Sequence, residues 1–346
     1  KLPTYPQNVA FIQLWGIGES VLTLPTIKAF KEKYNVPVTV VCTSRNKDIF
    51  TDLKYIDSLL EVDIHIGSIL KFLFSHYNSF ELVIDFEEYL HISSIITFFL
   101  GKSSIGYSHG IRSRLYTTRV FYNDRQHLVE THLDLLHPLG IQVSVSHLEP
   151  VSVSSADKRF VNGLFREHNI SLNKKMVGLA PGVAESAKSR MWSTEKWAHL
   201  TVILIKKYKV QVVFVGSPDD TVLVKEIIAQ MGSTRGNQKG SVVDLSGETS
   251  LKQLFYVIQQ CTLFIGCDSG PIHLASAQGI KTIGLFCPNT PVRFGPYGTG
   301  NVAVYKPILE QPCINVHKGQ IPECKKHHHM SRITVEDVVK VVEKIL

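Results

Sequence analysis

The sequence predicts an α/β fold with parallel sheets, divided between two domains, on three observations. The chain has 346 residues, about twice the usual size of a single domain. Short apolar runs alternate with segments of helical spacing, which is typical of parallel sheets. The alternation starts near Val9 and starts again at Met176. Two Rossmann-like domains with a cleft between them are therefore expected.

The first run of elements opens with a strand and a glycine turn. Its predicted strands are 9–15, 36–42 and 81–85, and its predicted helices are 21–34 and 131–140. Pro25 must kink the first helix or lie in its first turns, because a proline in a helix interior removes a hydrogen bond. Gly140 is expected to cap the second helix. The Ser- and Val-rich stretch at 142–155 is the predicted domain boundary.

The second run repeats the pattern. Its predicted strands are 176–180, 210–215, 263–267 and 282–286, and its predicted helices are 193–208, 271–278 and one that the turn at 216–220 opens. A terminal amphipathic helix is predicted at 335–346. We therefore expect an N-terminal domain over 1–155, a C-terminal domain over 156–334, and a last helix that can pack back across their junction.

Composition and charge narrow the function. Hydrophobic residues make up 44% and charged residues 19% of the chain, which fits a sizeable core and excludes a mostly disordered protein. No stretch is apolar enough for a transmembrane span, and the first residues lack the layout of a signal peptide. Residues 1–160 carry 15 basic and 16 acidic side chains, whereas 161–346 carry 22 and 14. The second half is therefore suited to an anion such as a nucleotide, a phosphate or an anionic lipid. Nucleic acid is not expected, because no basic run is interleaved with aromatic residues.

Six cysteines are too few for a disulfide framework in a chain of this length. Four of them lie in apolar surroundings and are predicted to be reduced core residues, namely Cys42, Cys261, Cys267 and Cys287. A reducing, cytoplasmic compartment is expected. Cys313, Cys324 and His327 to His329 have the chemistry of zinc or iron ligands. Their spacing is loose, so a polar surface loop without metal is the preferred interpretation.

The strongest chemical signal is the sequence D-S-G-P-I-H-L-A at 268–275, which follows a buried strand and opens a helix. Pro271 suits a first helical turn. The backbone N–H groups around Asp268, Ser269 and Gly270 are expected to be free at the positive end of the helix dipole, where anions bind. His273 lies one turn further and can reach the same anion. An ordinary helix cap with a core histidine is the alternative.

Other polar segments also lie between a strand and a helix. The loop at 182–192 contains Lys188 and Arg190, which can neutralise a phosphate or simply face solvent. Asp219 and Asp220 can accept hydrogen bonds from a ribose or act as helix-capping acids. The acids at 85–88 have a metal-like arrangement, but exposed acids at a strand end are the preferred interpretation.

The turn at 15–20 contains Gly16 and Gly18, which allow a ligand to approach closely, and Glu19, which is either functional or a dipole-stabilising acid. The third glycine of a dinucleotide fingerprint is absent. The chain also lacks the motifs of zinc metalloproteases, serine hydrolases and P-loop nucleotidases.

Taken together, these segments resemble the ADP-heptose:lipopolysaccharide heptosyltransferases, glycosyltransferase family 9. The motifs that carry the resemblance are 268–275, 284–291 and 293–296, with weaker matches at 18–25, 105–107, 127–140, 181–182 and 190–192. The resemblance implies a GT-B architecture with an acceptor-binding first domain and a nucleotide-sugar-binding second domain. It also implies an inverting transferase that needs no metal and no cofactor, with ADP-heptose as the expected donor.

Motif matching assigns roles to individual residues. Asp268, Ser269, Gly270 and His273 fall on the side of the phosphates and the heptose, and Asp220 falls on the position that contacts ribose. Glu19 stands where the family usually has an aspartate base, with Gly16 and Gly18 on the acceptor side. Arg190 stands where the family has a phosphate-binding lysine, and Lys188 is close to it in sequence.

Two other functions remain open at this stage. A nucleotide-sugar epimerase shares the architecture, and a catalytically silent nucleotide-sugar-binding subunit would tolerate the changes at Glu19 and Arg190. For a transferase, the expected acceptor is lipopolysaccharide core, another glycan or a protein. Peripheral association with the cytoplasmic face of the inner membrane would fit such an acceptor.

Overall fold

The computed structural model describes residues 2–232, 241–307 and 329–346. It contains two compact units that divide after Ser152, inside the Ser- and Val-rich stretch. Each unit is built on a six-stranded parallel sheet with helices. The predicted α/β class with two parallel sheets is therefore confirmed.

The first unit has the strand order β3-β2-β1-β4-β5-β6. Its strands are β1 Val9–Ile12, β2 Val38–Cys42, β3 Ser58–Glu61, β4 Phe80–Asp85, β5 Gly101–Tyr107 and β6 Thr118–Val120. Its helices are α1 Ile17–Tyr34, α2 Lys47–Phe50, α3 Ile66–Ser75, α4 His91–Leu100 and α5 Leu128–Asp134, with 3₁₀ turns at Ile111–Leu115 and His137–Leu139. All four residues of β1 are buried, as expected for a central parallel strand covered on both faces.

Helix α1 differs from its prediction at the start. It begins at Ile17, four residues earlier than predicted, so that Pro25 lies buried in its third turn. The early start follows from Gly16, whose φ of 75° is a left-handed value that favours glycine. The helix ends at Asn35, which also has a positive φ.

The second unit has the order β12-β11-β10-β7-β8-β9. Its strands are β7 Met176–Ala180, β8 Gln211–Phe214, β9 Val242–Asp244, β10 Leu263–Cys267, β11 Lys281–Phe286 and β12 Val302–Tyr305. Its helices are α6 Ser155–Glu167, α7 Thr194–Tyr208, α8 Thr221–Gln230, α9 Leu251–Gln259, α10 Gly270–Ala277, α11 Pro291–Phe294 and α12 Val335–Val342, with 3₁₀ turns at Glu185–Arg190, Pro218–Asp220 and Met330–Arg332.

The core of the second unit holds the end of the chain in place. Trp192 and Trp197 meet edge to face with ring centroids 5.1 Å apart, and the indole N–H of Trp192 donates to the carbonyl of Ile333 at 2.9 Å. Helix α12 packs on α7 and β12 of this unit. The last helix thus belongs to the second sheet's helical layer.

Both sheets reverse their strand order beside the first strand of the unit, between β1 and β4 and between β7 and β10. Ligands of open α/β sheets bind outside the carboxyl ends of the strands at such a switch point. Glu19 lies in the first turn of the helix after β1, Glu87 in the loop after β4, and Asp268 in the loop after β10. The topology therefore predicts two candidate ligand sites, one at the switch point of each sheet.

Candidate functional site

Glu19 lies in the first turn of α1, at the carboxyl end of β1. Its carboxylate folds back over Gly16: a Cβ added there would lie 2.3 Å from Glu19 Oε2. No side chain caps the start of α1, so the helix N-terminus favours a negative charge at this position. Glu19 lines a small cavity with Gln13, Phe86, Glu87, Glu88, Tyr89, Leu128 and His132.

Glu87 faces Glu19 from the loop after β4 and is only 2% exposed. Its Oε1 accepts the backbone N–H groups of Leu14 and Trp15 at 2.6 and 2.9 Å. Burial, together with repulsion from Glu19 and Asp85, holds the pKa of Glu87 well above its ordinary value. The first switch point therefore contains two carboxyl groups in different environments, one half-buried and one enclosed.

Asp85, the last residue of β4, is hydrogen-bonded to the loop that contains Glu87. Its Oδ2 accepts hydrogen bonds from Arg112 Nη2 at 2.9 Å and from the Tyr116 hydroxyl at 2.7 Å, and Ser93 Oγ donates to the same atom. Its Oδ1 accepts the backbone N–H of Glu87 at 3.0 Å. The prediction of exposed acids at 85–88 is wrong, because Asp85, Glu87 and Glu88 are all buried.

A second group of buried hydrogen bonds holds Glu88 and His132, which also line the cavity. The Tyr122 hydroxyl donates to Glu88 Oε2 at 2.5 Å, and Tyr107 Oη lies 2.7 Å from His132 Nδ1. Burial, with a smaller effect of His127, lowers the pKa of His132 to about 3, so its imidazole is neutral. Sequence reasoning did not single out His132 or Gln13 as site residues, although His132 lies within the weakly matching segment 127–140. Only the fold brings the two residues beside Glu19.

In the second unit the structure brings together two residues that the sequence had singled out separately. Arg190 Nη1 lies 3.2 Å from Asp268 Oδ2 and donates to the Asp268 carbonyl at 3.3 Å. Asn289 Nδ2 donates to Asp268 Oδ2 at 2.9 Å. Asp268 is buried, whereas the Arg190 side chain is 21% exposed. Asn289 was not predicted as a site residue, although its place three residues after β11 was a usable signal.

Helix α10 starts beside Arg190, Asp268 and Asn289, and no side chain caps the N–H groups of its first turn. Ser269 is the N-cap residue, but its side chain makes no cap hydrogen bond. Its hydroxyl lies within 3.3 Å of the Gly182 and Cys267 carbonyls instead. Gly270 and Pro271 form the first turn, and His273 is buried one turn along. An uncapped helix N-terminus at a switch point can receive an anion.

Asp220 has the helix-capping role that the sequence analysis left open as an alternative. Its Oδ2 accepts from the Ser217 N–H and hydroxyl at 2.7 and 2.8 Å, so the two residues form a capping box. A Cβ on Gly182 would lie 2.0 Å from Asp220 Oδ1. Asp220 therefore sits directly over the loop that follows β7.

Lys188 is directed differently from Arg190. Its side chain is 59% exposed and pairs with Glu185 three residues earlier. The structure thus separates the two cations of the 182–192 loop, with Arg190 at Asp268 and Lys188 at the surface.

The cysteine predictions divide in two. Cys42, Cys261, Cys267 and Cys287 are free, buried thiols, as predicted. Cys313, Cys324, His327 and His328 lie outside the described residues. Within the described part of the chain, no group of three or more potential ligands could hold a metal ion. The same residues contain no helix long and apolar enough to cross a membrane.

Solved structures show which fold the chain has. A glycosyltransferase family 9 structure from Veillonella parvula aligns with a TM-score of 0.83 over 98% of this chain and 97% of that one, at 19% identity. ADP-heptose LPS heptosyltransferase II of E. coli aligns with a TM-score of 0.78 over 98% of both chains, also at 19% identity. E. coli heptosyltransferase WaaC with ADP-2-deoxy-2-fluoro heptose aligns at 0.71 over 97% and 99%, at 15% identity. The fold is that of the GT-B heptosyltransferases.

Sequence comparison then gives the family. The family model described as glycosyltransferase family 9 (heptosyltransferase) matches residues 76–323. Lipopolysaccharide heptosyltransferase 3 of Escherichia coli K12 is 24% identical over 95% of both chains. Lipopolysaccharide core heptosyltransferase OpsX of Haemophilus influenzae is 28% identical over 59% of this chain, and that alignment spans 57% of OpsX. The chain belongs to glycosyltransferase family 9 and is a glycosyltransferase.

Proposed function

We propose that the chain transfers a heptose from ADP-heptose to a hydroxyl group of lipopolysaccharide core or a related glycan or protein. The names of its relatives support this donor and acceptor, and E. coli WaaC has been solved with ADP and with a fluorinated ADP-heptose. The observation that carries the proposal is the chemistry of the two switch points. One presents a carboxylate, and the other presents an arginine beside an uncapped helix N-terminus.

In the proposed reaction Glu19 is the general base. Its carboxylate takes the proton of the acceptor hydroxyl, and the acceptor oxygen forms a bond to the anomeric carbon. The bond from that carbon to the diphosphate oxygen breaks on the opposite face, and ADP leaves with the electron pair. A single displacement of this kind inverts the anomeric centre. General-base assistance typically contributes about 10²–10⁴-fold.

The second unit would hold the leaving group. Arg190 and the first-turn amides of α10 are preorganised to meet the negative charge that develops on the diphosphate. Asp268 and Asn289 fix the arginine and its loop, and Asp220 lies where a ribose hydroxyl could donate to it. Because protein groups meet this charge, we propose that transfer needs neither a metal ion nor another cofactor.

The proposed place of reaction is the cytoplasm, including the cytoplasmic face of the inner membrane. The four buried thiols support a reducing compartment.

The experiment that tests the proposal follows ADP release from ADP-heptose, with and without a lipopolysaccharide-core acceptor, together with the sugar product. We expect ADP and a heptosylated acceptor only when acceptor is present. Glu19→Gln should lower kcat by about 10²-fold or more with donor affinity little changed. Glu19→Asp should retain part of the activity. Glu32→Gln, at an exposed acid of the same helix, is the matched control and should keep the parental rate.

Three results would contradict the proposal. A changed donor sugar without acceptor would indicate an epimerase. Donor binding without turnover under any acceptor condition would indicate a silent subunit. A parental rate in Glu19→Gln, with chemistry shown to be rate-limiting, would assign the base to another residue, and Glu87 would be examined first.

A further inference from the structure

An apolar surface on the first unit has no role in the sites described above. On α3 and just after it, Ile66, Leu70, Phe74 and Tyr77 are exposed, and Phe74 is 86% exposed. On α4, the residues Ile95, Phe98 and Phe99 are exposed as well. We name these seven residues the α3–α4 face. A contiguous exposed surface of this composition marks an interaction site in a folded protein.

The face is continuous across the two helices. Its residues on α3 recur at intervals of four, and those on α4 at intervals of three and four, so each set lies on one side of its helix. The rings of Tyr77 and Phe99 lie 6.2 Å apart, and those of Phe98 and Phe99 lie 5.5 Å apart. Helices α3 and α4 also contact each other.

The opposite sides of both helices already anchor them. Phe72 and Leu73 of α3 and Ile96 and Leu100 of α4 belong to one buried cluster with the sheet. The α3–α4 face is therefore an additional apolar surface, and the packing of the first unit does not depend on it.

The segments that carry the face contain basic but no acidic side chains, whereas the exposed Glu61 and Asp63 lie just before them. No aspartate or glutamate occurs at 64–80 or at 89–123. The same segments expose Lys71, Lys102, Arg114 and Arg119. None of these four cations is in an ion pair among the residues that the structure describes. The 3₁₀ turn that carries Arg114 and the exposed Ile111 packs against α4, which extends the basic and apolar surface beyond the two helices.

We propose that the α3–α4 face docks on the surface of an anionic lipid bilayer. Aliphatic and aromatic side chains on amphipathic helices enter the boundary between headgroups and acyl chains. Lysine and arginine beside them are attracted by the negative potential of anionic lipids, and nearby acids, which would oppose binding, are absent from these segments. The first unit would thus lie on the membrane through this face. The inference goes beyond the proposed transfer reaction and does not depend on it.

The test is flotation of the whole chain with lipid vesicles. We expect it to bind vesicles that contain phosphatidylglycerol, to bind phosphatidylcholine vesicles more weakly, and to lose affinity as salt is raised. Phe74→Asp should weaken vesicle binding by about tenfold or more, because it removes a ring that would enter the bilayer and adds a charge that anionic lipid repels. Val222→Asp introduces the same charge at an equally accessible position on α8, where Val222 is 76% exposed, and should bind like the parent.

A second variant keeps the test decisive if Phe74→Asp affects folding. Phe74→Trp preserves an aromatic ring, and its fluorescence should shift to the blue when phosphatidylglycerol vesicles are added. The proposal is overturned if the emission does not shift, or if Phe74→Asp and Val222→Asp float equally. It is also overturned if the parent fails to float and Phe74→Asp converts a dimer into a monomer, because the face would then be an interface between two copies of the chain.

Discussion

Asp85 at the end of β4 and Glu87 in the loop after it have different roles. The Asp85 carboxylate accepts hydrogen bonds from Arg112, Tyr116 and Ser93, and it also accepts the backbone N–H of Glu87. Glu87 accepts two backbone N–H groups yet remains repelled by Glu19 and Asp85. The short distance between the two acids in sequence therefore does not show which of them can exchange a proton, because their hydrogen-bond partners come from distant segments of the chain.

The raised pKa of Glu87 predicts a pH effect on stability. As pH rises above the ordinary carboxyl pKa, the unfolded chain releases this proton first, so folded stability falls until the raised pKa is reached. Glu87→Gln should remove this loss of stability, so Tm should depend less on pH between the ordinary and the raised carboxyl pKa. Each kcal/mol of unfolding free energy corresponds to about 2–4 °C in Tm. The glutamine oxygen can still accept from Leu14 and Trp15.

Thermal melts across pH measure this effect, and Glu32→Gln is the control because Glu32 is exposed. Parallel curves for the parent and Glu87→Gln would contradict the raised pKa of Glu87.

The two cations of the 182–192 loop predict unequal effects on ADP. Arg190→Ala should raise the Kd for ADP by about tenfold or more, since a charge-assisted hydrogen bond is worth about 1.5–3 kcal/mol. Lys188→Ala should change it by less than about threefold, because Lys188 is largely exposed and pairs with Glu185. Calorimetric titration measures both. Equal losses in the two variants, or an unchanged Kd in Arg190→Ala, would reject the role given to Arg190.

At the scale of single elements, glycines set how closely the loops approach their neighbours. Gly16 allows α1 to begin early and leaves room for the Glu19 carboxylate. Gly182 does the same for Asp220. A side chain at Gly16 would occupy the place of Glu19 in the first turn of α1, and one at Gly182 would occupy the place of Asp220, which precedes α8.

Gly182→Ala tests this arrangement. Its Cβ would collide with the Asp220 carboxylate, so we expect the capping box with Ser217 to loosen, Tm to fall by about 2–4 °C, and ADP to bind about tenfold more weakly. Gly163→Ala is the control: it lies in α6, where the nearest heavy atom to a new Cβ is 3.9 Å away. It should leave ADP affinity unchanged and raise helix stability by up to about 1 kcal/mol. ADP binding that is equal in both variants would contradict the prediction.

At the scale of the whole molecule, the excess of basic residues in the second half would suit the anionic donor that we propose. Because Arg190 and the α10 amides can meet the diphosphate charge, we expect transfer to be unaffected by EDTA. Elemental analysis should find less than one zinc or iron per chain. One metal ion per chain, lost in Cys313→Ser or Cys324→Ser, would overturn this expectation and identify a metal site in that segment.

Local patterns predicted much of this protein. Alternating apolar and amphipathic segments indicated the α/β class. Polar residues in the segments between a strand and the following helix indicated most candidate site residues, among them Glu19, Arg190 and Asp268. These signals are readable because they depend on neighbours within a few residues. The motifs at 268–275 and 284–291 also carried the resemblance to the family to which the chain belongs.

Only the tertiary structure decided which of those residues meet. Arg190 pairs with Asp268 across 78 positions of sequence, and Glu87 reaches the N–H groups of Leu14 and Trp15 across 73 and 72. Such pairs follow from strand order, because a switch point joins loops that are distant in the chain. The burial of the acids at 85–88, which reversed their predicted exposure, has the same cause: burial depends on what the fold packs over a segment and not on the segment itself.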